Sequence, residues 1–587
     1  MTFWSRLLRL FVIALVSGII VLVGCRSNPN PSNTTGKGAL PSASNKTKIE
    51  TSLPHDSITA DLGFRPVTDG FSFSNYGKDS NAKGLSAVEM QRMFGNGVCV
   101  DQAEPCILNP PAKKWMAEVN KSMGGGHCEG MAALSLILYA DKEKSKEFSS
   151  VPNLTLKDNE KLQREIAYWF ATQYVRPTSS SEMKGEQVPS QILDQLLATL
   201  KPNAPITETY TMGIYQPGFR GGHAITPYGV ADLGGGKYAI ALYDNNHPQV
   251  ERVLELDRNT NTWKYNASTN PDEPEADYIG NAETRTLTLT PTPPRYQRQE
   301  CDFCGTESES GSESDSETGN ETRNETESDG ENKAATNGNT TSAPQPRFNQ
   351  IFLEGDADLL ITNGDQKIGY ENDKFVNSFP GAIFTPIKSS ELWEDDEEPL
   401  YEIPVNVPFT INLQGTKKSN TKEPIDVAMI GYSYDVGLSN IKISSNQKDV
   451  IQFDKTGHSL IYKPSNPESP DVFFGISTTK DDYEFELNGI EIDAGGTITA
   501  NLDKTKGRLS LKITDTQSKA TFDLEITRIG DAKEQTFEGT NVALASGDTL
   551  YFNYAKWSGN GGKLTVEIDQ GSNGSLEQVT TIEDQQK

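Results

Sequence analysis

The stretch GGGHCEGMAALSLILYA, residues 124–140, decides how this chain is organised. Three glycines lead into Cys128, and the residues after it would make a helix apolar on nearly every side. We therefore predict a central, buried helix over residues 128–140. In its first turn, free backbone N–H groups and the helix dipole favour a thiolate on Cys128. The glycines let another backbone approach this thiol closely.

A predicted hairpin downstream supplies a histidine and a carboxylate. His223 begins one strand, and the next strand, over residues 237–243, ends at Asp244. Three glycines at 234–236 form the turn between the strands. Because antiparallel neighbours run in opposite directions, the start of the first strand lies beside the end of the second. We therefore expect Asp244, or alternatively Asn245, to lie next to His223.

These residues match what a thiol nucleophile needs. An imidazole pairs with the thiolate and then protonates the leaving amine, and a third polar group fixes the imidazole tautomer. Cys128, His223 and Asp244 would fill these roles. His127 is an alternative base, although adjacent residues at a helix start project apart. A zinc site that adds His127 and His247 to the thiol and His223 would lack HExxH or CxxC spacing, so we expect no metal and no cofactor.

The order of these residues resembles that of the papain-like cysteine peptidase superfamily. In that family a cysteine begins the central helix, a histidine begins a sheet strand, and an Asn or Asp ends the next strand. The runs GGHCEGM at Cys128, GGHAIT at His223 and YDNN at Asp244 stand in these positions. The resemblance covers about residues 110–265. It implies an α+β papain-like fold and a peptide or other amide as substrate.

The family usually places a Gln six residues before the cysteine, where its side chain stabilises the oxyanion. Here Ser122 occupies that position, and Asn120 lies two residues earlier. Losing one such donor raises the barrier by about 3 kcal/mol. Our candidate for the oxyanion donor is the Asn120 amide, together with the backbone N–H of Cys128.

The N-terminus predicts export and a lipid anchor. Two arginines precede an uninterrupted stretch of apolar and small residues over 10–24. The run LVGC at 22–25 resembles the lipobox of bacterial lipoproteins. This implies a signal peptide over 1–24, a lipid on Cys25 and a flexible tether over 25–55. A plain signal anchor with an incidental cysteine is the alternative. We expect an extracytoplasmic protein, attached to a bacterial membrane.

The other cysteines fit an oxidising compartment. Cys99 lies close in sequence to Cys106, and Cys301 to Cys304, so we predict a disulfide in each pair. Cys128 is then left with a free thiol. A redox or metal role for Cys301-Asp-Phe-Cys304 is the alternative, but no second CxxC completes a four-thiolate zinc site.

Composition divides the 587 residues into several parts. We predict an α+β papain-like domain over 56–300, a disordered acidic linker rich in Ser and Glu over 305–347, and an all-β, sandwich-type region over 348–587. The linker is expected to be a charged spacer, and binding of a cation or partner is its alternative. The net charge of -27 disfavours nucleic acid as a partner. A mean hydropathy of -0.55 excludes a polytopic membrane protein.

Periodicity predicts further elements in the first domain. Ser86 and Glu89 form a capping box that opens a helix ending at Phe94. Further helices are predicted over 112–122, 158–174 and 189–200, and further strands over 206–215, 250–256 and 262–265.

We thus expect a membrane-tethered cysteine hydrolase, either a peptidase or an amidase, that acts through a thioester on Cys128. A transglutaminase-like enzyme or a cell-wall amidase shares the same residue order and is the alternative within the enzyme class. The alternative outside it is a non-catalytic surface lipoprotein that binds a protein or glycan partner through residues 348–587.

Overall fold

The computed structural model describes nine stretches of the chain: residues 58–100, 105–183, 187–202, 205–267, 277–305, 347–389, 398–517, 519–530 and 533–585. The predicted signal peptide, Cys25 and the tether lie outside the described residues, as do residues 306–346 of the acidic linker predicted over 305–347. No helix in the described stretches has both the length and the apolar character needed to span a membrane. All the described residues belong to one compact unit.

Eight α-helices lie in the first part of the described chain: α1 (Pro66–Asp69), α2 (Ala87–Phe94), α3 (Pro110–Ser122), α4 (Cys128–Ala140), α5 (Lys142–Ser145), α6 (Glu160–Ala171), α7 (Thr178–Ser181) and α8 (Pro189–Thr199). The predicted capping box of α2 is present, with Ser86 as N-cap and Glu89 at the third helical position. The predicted helix over 158–174 is shorter than expected, because residues 172–174 tighten into a 3₁₀ turn.

Helix α4 has the bounds that its sequence predicts, and it is central. Nearly all of its side chains are buried, and they contribute to cores on different sides of the helix. Met131 and Leu134 pack with helices α3 and α6, whereas Leu136 packs towards a β-sheet. A helix that is apolar all round therefore lies between layers, as its composition requires.

Eight strands of the first part form one antiparallel sheet: β1 (Ile58–Asp61), β2 (Tyr210–Gln216), β3 (Arg220–Gly234), β4 (Lys237–Tyr243), β5 (Glu251–Asp257), β6 (Thr262–Asn266), β7 (Asp277–Asn281) and β8 (Leu287–Pro291). The strand order is β7-β6-β5-β4-β3-β2-β8, and β1 also pairs with β3. The predicted strand over 206–215 begins only at Tyr210, because residues 206–208 form a 3₁₀ turn after Pro205.

The two edges of the long strand β3 are paired with other strands over different lengths. Strand β2 pairs with residues 220–225 of β3, whereas β4 pairs only from Thr226 onwards. Among the described residues, one edge of the first six residues of β3 is therefore without a neighbouring strand. The N-terminus of α4 and the residues after β4 meet at this edge.

The second part of the described chain is built from strands, namely β9 (Phe348–Glu354), β10 (Ala357–Asn363), β11 (Gln366–Glu371), β12 (Lys374–Asn377), β13 (Ile383–Thr385), β14 (Leu400–Pro404), β15 (Phe409–Gly415), β16 (Ile425–Gly431), β17 (Tyr434–Ile441), β18 (Lys448–Phe453), β19 (Ser459–Lys463), β20 (Asp471–Ile476), β21 (Asp482–Asn488), β22 (Thr497–Asp503), β23 (Arg508–Thr514), β24 (Ala520–Gly530), β25 (Lys533–Leu544), β26 (Thr549–Phe552), β27 (Leu564–Asp569) and β28 (Gln578–Ile582). They form an 11-stranded sheet, β12-β11-β10-β15-β18-β19-β22-β23-β26-β27-β28, and a 9-stranded sheet, β13-β14-β9-β16-β17-β20-β21-β24-β25. Both sheets contribute to one apolar core, so the predicted β-rich region is confirmed.

The helical layer and the 9-stranded sheet share a second core. Trp115 of α3 packs in one cluster with Phe352 of β9 and Ile430 of β16. The indole N–H of Trp115 also donates to Gln350 Oε1 at 2.9 Å. Arg176 adds an ion pair to Glu402 of β14, at 2.5 Å. The two parts of the chain are therefore held together by apolar packing as well as by charge.

Candidate active site

Cys128 is the first residue of α4, and its thiol is free and buried. Gly126 turns the chain into the helix with a φ of 148°, in the region that favours glycine. The Sγ atom accepts a hydrogen bond from the backbone N–H of Ala224, at 3.3 Å, on the uncovered edge of β3. This N–H and the first-turn N–H groups of α4 both present positive partial charge to the sulfur. The sulfur is therefore surrounded by hydrogen-bond donors on this side.

His223 and Asp244 meet as the predicted hairpin requires. Strand β4 ends with Tyr243 opposite Thr226, so the chain passes along the first residues of β3 as it leaves the strand. His223 Nε2 lies 2.8 Å from Asp244 Oδ1. The side chains are 2% and 0% exposed, so solvent does not screen this pair. The predicted proximity is confirmed.

The charges of His223 and Asp244 support one another. Burial alone lowers the pKa of His223, but the nearby Asp244 and Cys128 outweigh it and raise the pKa to about 10. Burial likewise raises the pKa of Asp244, but the positive charge and hydrogen bond of His223 hold it well below its usual range. The site therefore favours the protonated, imidazolium form of the ring. Nδ1, the ring nitrogen that does not face Asp244, is buried, and a hydrogen bond with the Cys128 thiol also raises the pKa of the ring.

Further groups hold the carboxylate of Asp244 in place. The phenol of Tyr265 donates to Oδ2, and the backbone N–H of Asn246 donates to Oδ1 at 2.9 Å. His247 Nε2 is 3.9 Å from Oδ2 and faces the carbonyl oxygen of Ala267 at 2.7 Å. Sequence reasoning missed Tyr265, because only the pairing of β5 with β6 brings it back to this site.

Asn245, the alternative partner for His223, has a different position. Its Nδ2 donates to the carbonyl oxygens of Cys128 and Ala224, at 3.1 and 3.0 Å. It thereby joins the start of α4 to the uncovered edge of β3. Asp244 orients the imidazole, whereas Asn245 fixes the two backbones that carry the thiol and the ring.

The contacts of His127, the alternative base, do not suit a catalytic role. Its Nδ1 lies 2.7 Å from the carbonyl oxygen of Tyr76, and its ring stacks on the phenol of that residue. Burial lowers the pKa of His127 to about 4, although the Tyr76 carbonyl opposes this change. The ring is therefore neutral at physiological pH.

Asn75 links the segments around the site and was also missed from sequence. Its Oδ1 accepts the backbone N–H of His127, at 2.7 Å, and its own backbone N–H donates to the Asn245 carbonyl, at 2.8 Å. It therefore connects the residue before Cys128 to the residue after Asp244. No local motif marks this asparagine, because its partners are remote in sequence.

The structure does not bring Asn120 to the thiol. Its Oδ1 accepts the backbone N–H of Leu85, at 2.7 Å, and its Nδ2 donates to the carbonyl of the same residue, at 3.1 Å. Both ends of the amide are thus committed to the start of α2. Ser122 hydrogen-bonds the hydroxyl of Tyr174. Of the two predicted oxyanion donors, only the backbone N–H of Cys128 lies at the thiol.

A buried ion pair lies directly behind the site. Glu129, the second residue of α4, pairs with Arg295, and both side chains are fully buried. Arg295 also donates to the hydroxyls of Thr172, at 2.6 Å, and Thr211, at 3.1 Å. This pair ties the first turn of α4 to the segment after β8. Neither residue has a sequence signal, since they are far apart in the chain.

The other cysteines of the described residues pair as predicted. Cys99 is bonded to Cys106, and Cys301 to Cys304. The CxxC pair is therefore a disulfide in this structure. Within the described stretches, no group of three or more His, Cys, Asp or Glu side chains is arranged to hold a metal ion.

Comparison of the chain with protein-family models, with curated proteins and with solved structures found no match. The functional argument therefore rests on the geometry of the site.

Proposed function

We propose that this protein is a papain-like cysteine hydrolase, a peptidase or amidase, with Cys128 as nucleophile. The observation that carries the proposal is the buried contact of His223 with Asp244 beside a free thiol at a helix N-terminus. Each group alone is common in proteins. Together they supply a nucleophile, a proton carrier and a group that orients the carrier.

In the first half-reaction the thiolate of Cys128 attacks the carbonyl carbon of the amide. A carbon–sulfur bond forms, and the carbonyl oxygen takes negative charge. The imidazolium of His223 then gives its Nδ1 proton to the amide nitrogen, the carbon–nitrogen bond breaks and the amine leaves. The products are a thioester on Cys128 and a neutral imidazole.

In the second half-reaction the neutral His223 removes a proton from water, which attacks the thioester carbon. The carbon–sulfur bond breaks, the carboxylic acid leaves and the thiolate–imidazolium pair returns. Asp244 keeps Nε2 protonated throughout, so Nδ1 is the nitrogen that exchanges the proton. The backbone N–H of Cys128 is the candidate donor to the oxyanion, because the Asn120 amide binds Leu85.

We place this enzyme outside the cytoplasm, attached to a bacterial membrane through Cys25. The two disulfides support an oxidising compartment. The LVGC run at residues 22–25 supports the lipid anchor. Growth with labelled palmitate followed by mass spectrometry tests this: Cys25→Ala should lose the label and leave the membrane fraction, and label retained by the variant contradicts the anchor.

The activity is tested with a library of fluorogenic peptide amides. Wild type should release fluorophore, and Cys128→Ala and His223→Ala should not. Mass spectrometry of an acid-quenched reaction should find the acyl group on Cys128. Equal release by Cys128→Ala and the wild type contradicts the proposal. Addition of a primary amine distinguishes a transglutaminase-like enzyme, for which the acyl–amine adduct would replace the free acid as the main product.

A further inference from the structure

A short segment of the β-rich region lies against the candidate active site. Residues 387–389, here called the strap, follow strand β13. The backbone N–H of Ser389 donates to the carbonyl oxygen of Gly222, at 3.2 Å. A Cβ atom on Gly222 would lie 2.0 Å from the carbonyl oxygen of Ile387, so the two backbones touch. Gly222 is the residue immediately before His223.

The strap and the thiol use the same edge of β3. Ser389 bonds the carbonyl of Gly222, and the Cys128 thiol accepts the N–H of Ala224, two residues further along the strand. Residues two apart in a strand direct their backbone groups to the same edge, about 7 Å from one another. The contact of the strap with β3 therefore lies about 7 Å along the strand from the contact of the Cys128 thiol.

The side chain of Lys388, the lysine of the strap, lies in a polar pocket formed by residues of the first domain. Lys388 is 1% exposed, and its Nζ donates to Glu182 Oε1 at 2.8 Å. The same oxygen accepts the hydroxyl of Thr288 at 2.8 Å and that of Tyr215 at 3.4 Å. Burial opposes the charge on Lys388, but Glu182 outweighs it, and the pKa of the lysine is raised. A charged amine is thus stabilised inside the first domain by residues of that domain.

The backbone of the strap is recognised as well. The N–H of Lys388 donates to Gln173 Oε1 at 2.9 Å, and Gln173 Nε2 donates back to the Lys388 carbonyl at 3.4 Å. Ile387 is buried in the apolar cluster that includes Phe170 and Tyr174. Backbone bonds with a pocket for each side chain are the usual means by which a protein binds a peptide.

We infer that the strap occupies the substrate cleft, and that Glu182 with Gln173 forms a subsite for peptides carrying a lysine next to an apolar residue. This deepens the proposed function and rests on it. Cys128 and Asp244 have no exposed surface and His223 is 1% exposed. The strap would then be an internal ligand that must leave before a substrate enters.

The first test measures access to the thiol in the full chain. Lys388→Met keeps the length of the side chain but removes its charge, so it should weaken the strap and speed alkylation of Cys128 by iodoacetamide at least tenfold at pH 7. Lys113→Met is the matched control, since Lys113 forms an exposed ion pair with Glu484 between the same two regions. Its alkylation rate should match wild type. Ser389→Pro removes the N–H that bonds Gly222 and gives a second measurement if Lys388→Met does not fold.

The second test measures binding without catalysis. The Cys128→Ala, Lys388→Met double variant should bind a fluorescent acetyl-Pro-Ile-Lys-Ser-amide in an anisotropy titration. The same peptide with norleucine in place of lysine should bind at least tenfold more weakly, and Glu182→Gln should remove that preference. Unchanged alkylation in both strap variants, or equal affinity for the two peptides, overturns the inference.

The proposed hydrolase function and the proposed lysine subsite can be disproved independently of each other. Peptide binding by the thiol-free variant does not depend on catalysis, so a lysine subsite would stand even if Cys128 proved unreactive. Conversely, a chain that hydrolyses library peptides through Cys128 but shows no preference for lysine would retain the proposed function and lose the subsite.

Discussion

The candidate active site and the β-rich region bury ionisable groups in opposite ways. His223 and Asp244 are oppositely charged neighbours, and each holds the other in its charged form. Several carboxyl groups of the β-rich region are buried with too little opposing charge, so burial raises their pKa: Glu354 to about 7, Glu398 to about 8, Asp435 to about 7 and Glu468 to about 7. The candidate active site stabilises the charged forms of its buried groups, whereas burial in the β-rich region favours the neutral forms.

These pKa shifts make the stability of the folded chain depend on pH. The raised pKa of His223 contributes stability below pH 6.5, and this is lost as pH rises through about 10. The lowered pKa of Asp244 contributes stability above about pH 3.8, and this is lost on acidification. The raised carboxyl groups oppose Asp244 and, like His223, lose stability as pH rises, because the unfolded state ionises them at about pH 4 and the folded state only near pH 7 to 8. Together these groups predict highest stability at about pH 4, because the contribution of Asp244 is nearly complete there and the raised carboxyl groups lose stability from there upwards.

The largest effect is expected from neutralising the charge partner of His223. Asp244→Ala should lower the hydrolytic rate on the best library peptide by on the order of 10³–10⁴-fold, because the ring loses both the acceptor that fixes its tautomer and the negative charge beside it. Asp435→Ala makes the same chemical change in the β-rich region and should leave the rate unchanged. Similar rates for Asp244→Ala and wild type would remove Asp244 from the mechanism.

The next largest effect concerns the ion pair behind the thiol. Glu129→Ala leaves the Arg295 guanidinium buried without its carboxylate and should lower the free energy of unfolding by about 3–5 kcal/mol. Urea denaturation at pH 7 measures this. Lys146→Ala, which breaks the exposed pair with Glu143, is the control and should change stability little. A small effect of Glu129→Ala would mean that the pair is not needed to hold the start of α4.

A smaller effect is expected from replacing a buried carboxyl group of the β-rich region. Among the residues that the structure describes, Asp435 Oδ2 is buried without a hydrogen-bond partner. Asp435→Asn removes the need to ionise this group and should stabilise the chain by about 1–3 kcal/mol at pH 8 and by about a third of that at pH 5, where the folded carboxyl is still protonated. Thermal melts at the two pH values compare the variants. Equal gains at both pH values would place the effect in packing instead of ionisation.

The smallest effect is expected from the acidic linker. Gly305 and Arg347, the described residues on either side of it, both contact Tyr432. The ends of the linker are therefore close, and a ten-residue Gly-Ser segment can replace residues 306–346. Loop closure then costs about 1 kcal/mol less, so the chain should become slightly more stable. Loss of activity or folding would show that the linker is more than a spacer.

Sequence patterns predicted the parts of the site that depend on local order. The bounds of α4 follow from its apolar run, and the contact of His223 with Asp244 follows from a hairpin with a glycine turn. Asn120 was wrongly expected near the thiol because spacing along a helix does not reveal which way its amide points. Asn75 and Tyr265 come from segments whose position depends on tertiary packing.

The strap lay beyond sequence reasoning for a similar reason. Nothing in the short run at 387–389 separates Lys388 from other lysines between strands. Only the docking of the β-rich region against the first domain places its side chain beside Glu182. A domain division based on composition treats the two regions as separate units and therefore gives no contacts between them.

The most direct test of the central claim is the pH dependence of Cys128 alkylation. The ratio of the rates at pH 5.5 and pH 8 is informative even if the strap slows both, because occlusion affects them alike. The thiolate–imidazolium pair predicts a ratio near one in the wild type. His223→Ala should lower it by about two orders of magnitude, as for an ordinary thiol. A wild-type ratio as low as that of His223→Ala would contradict the account.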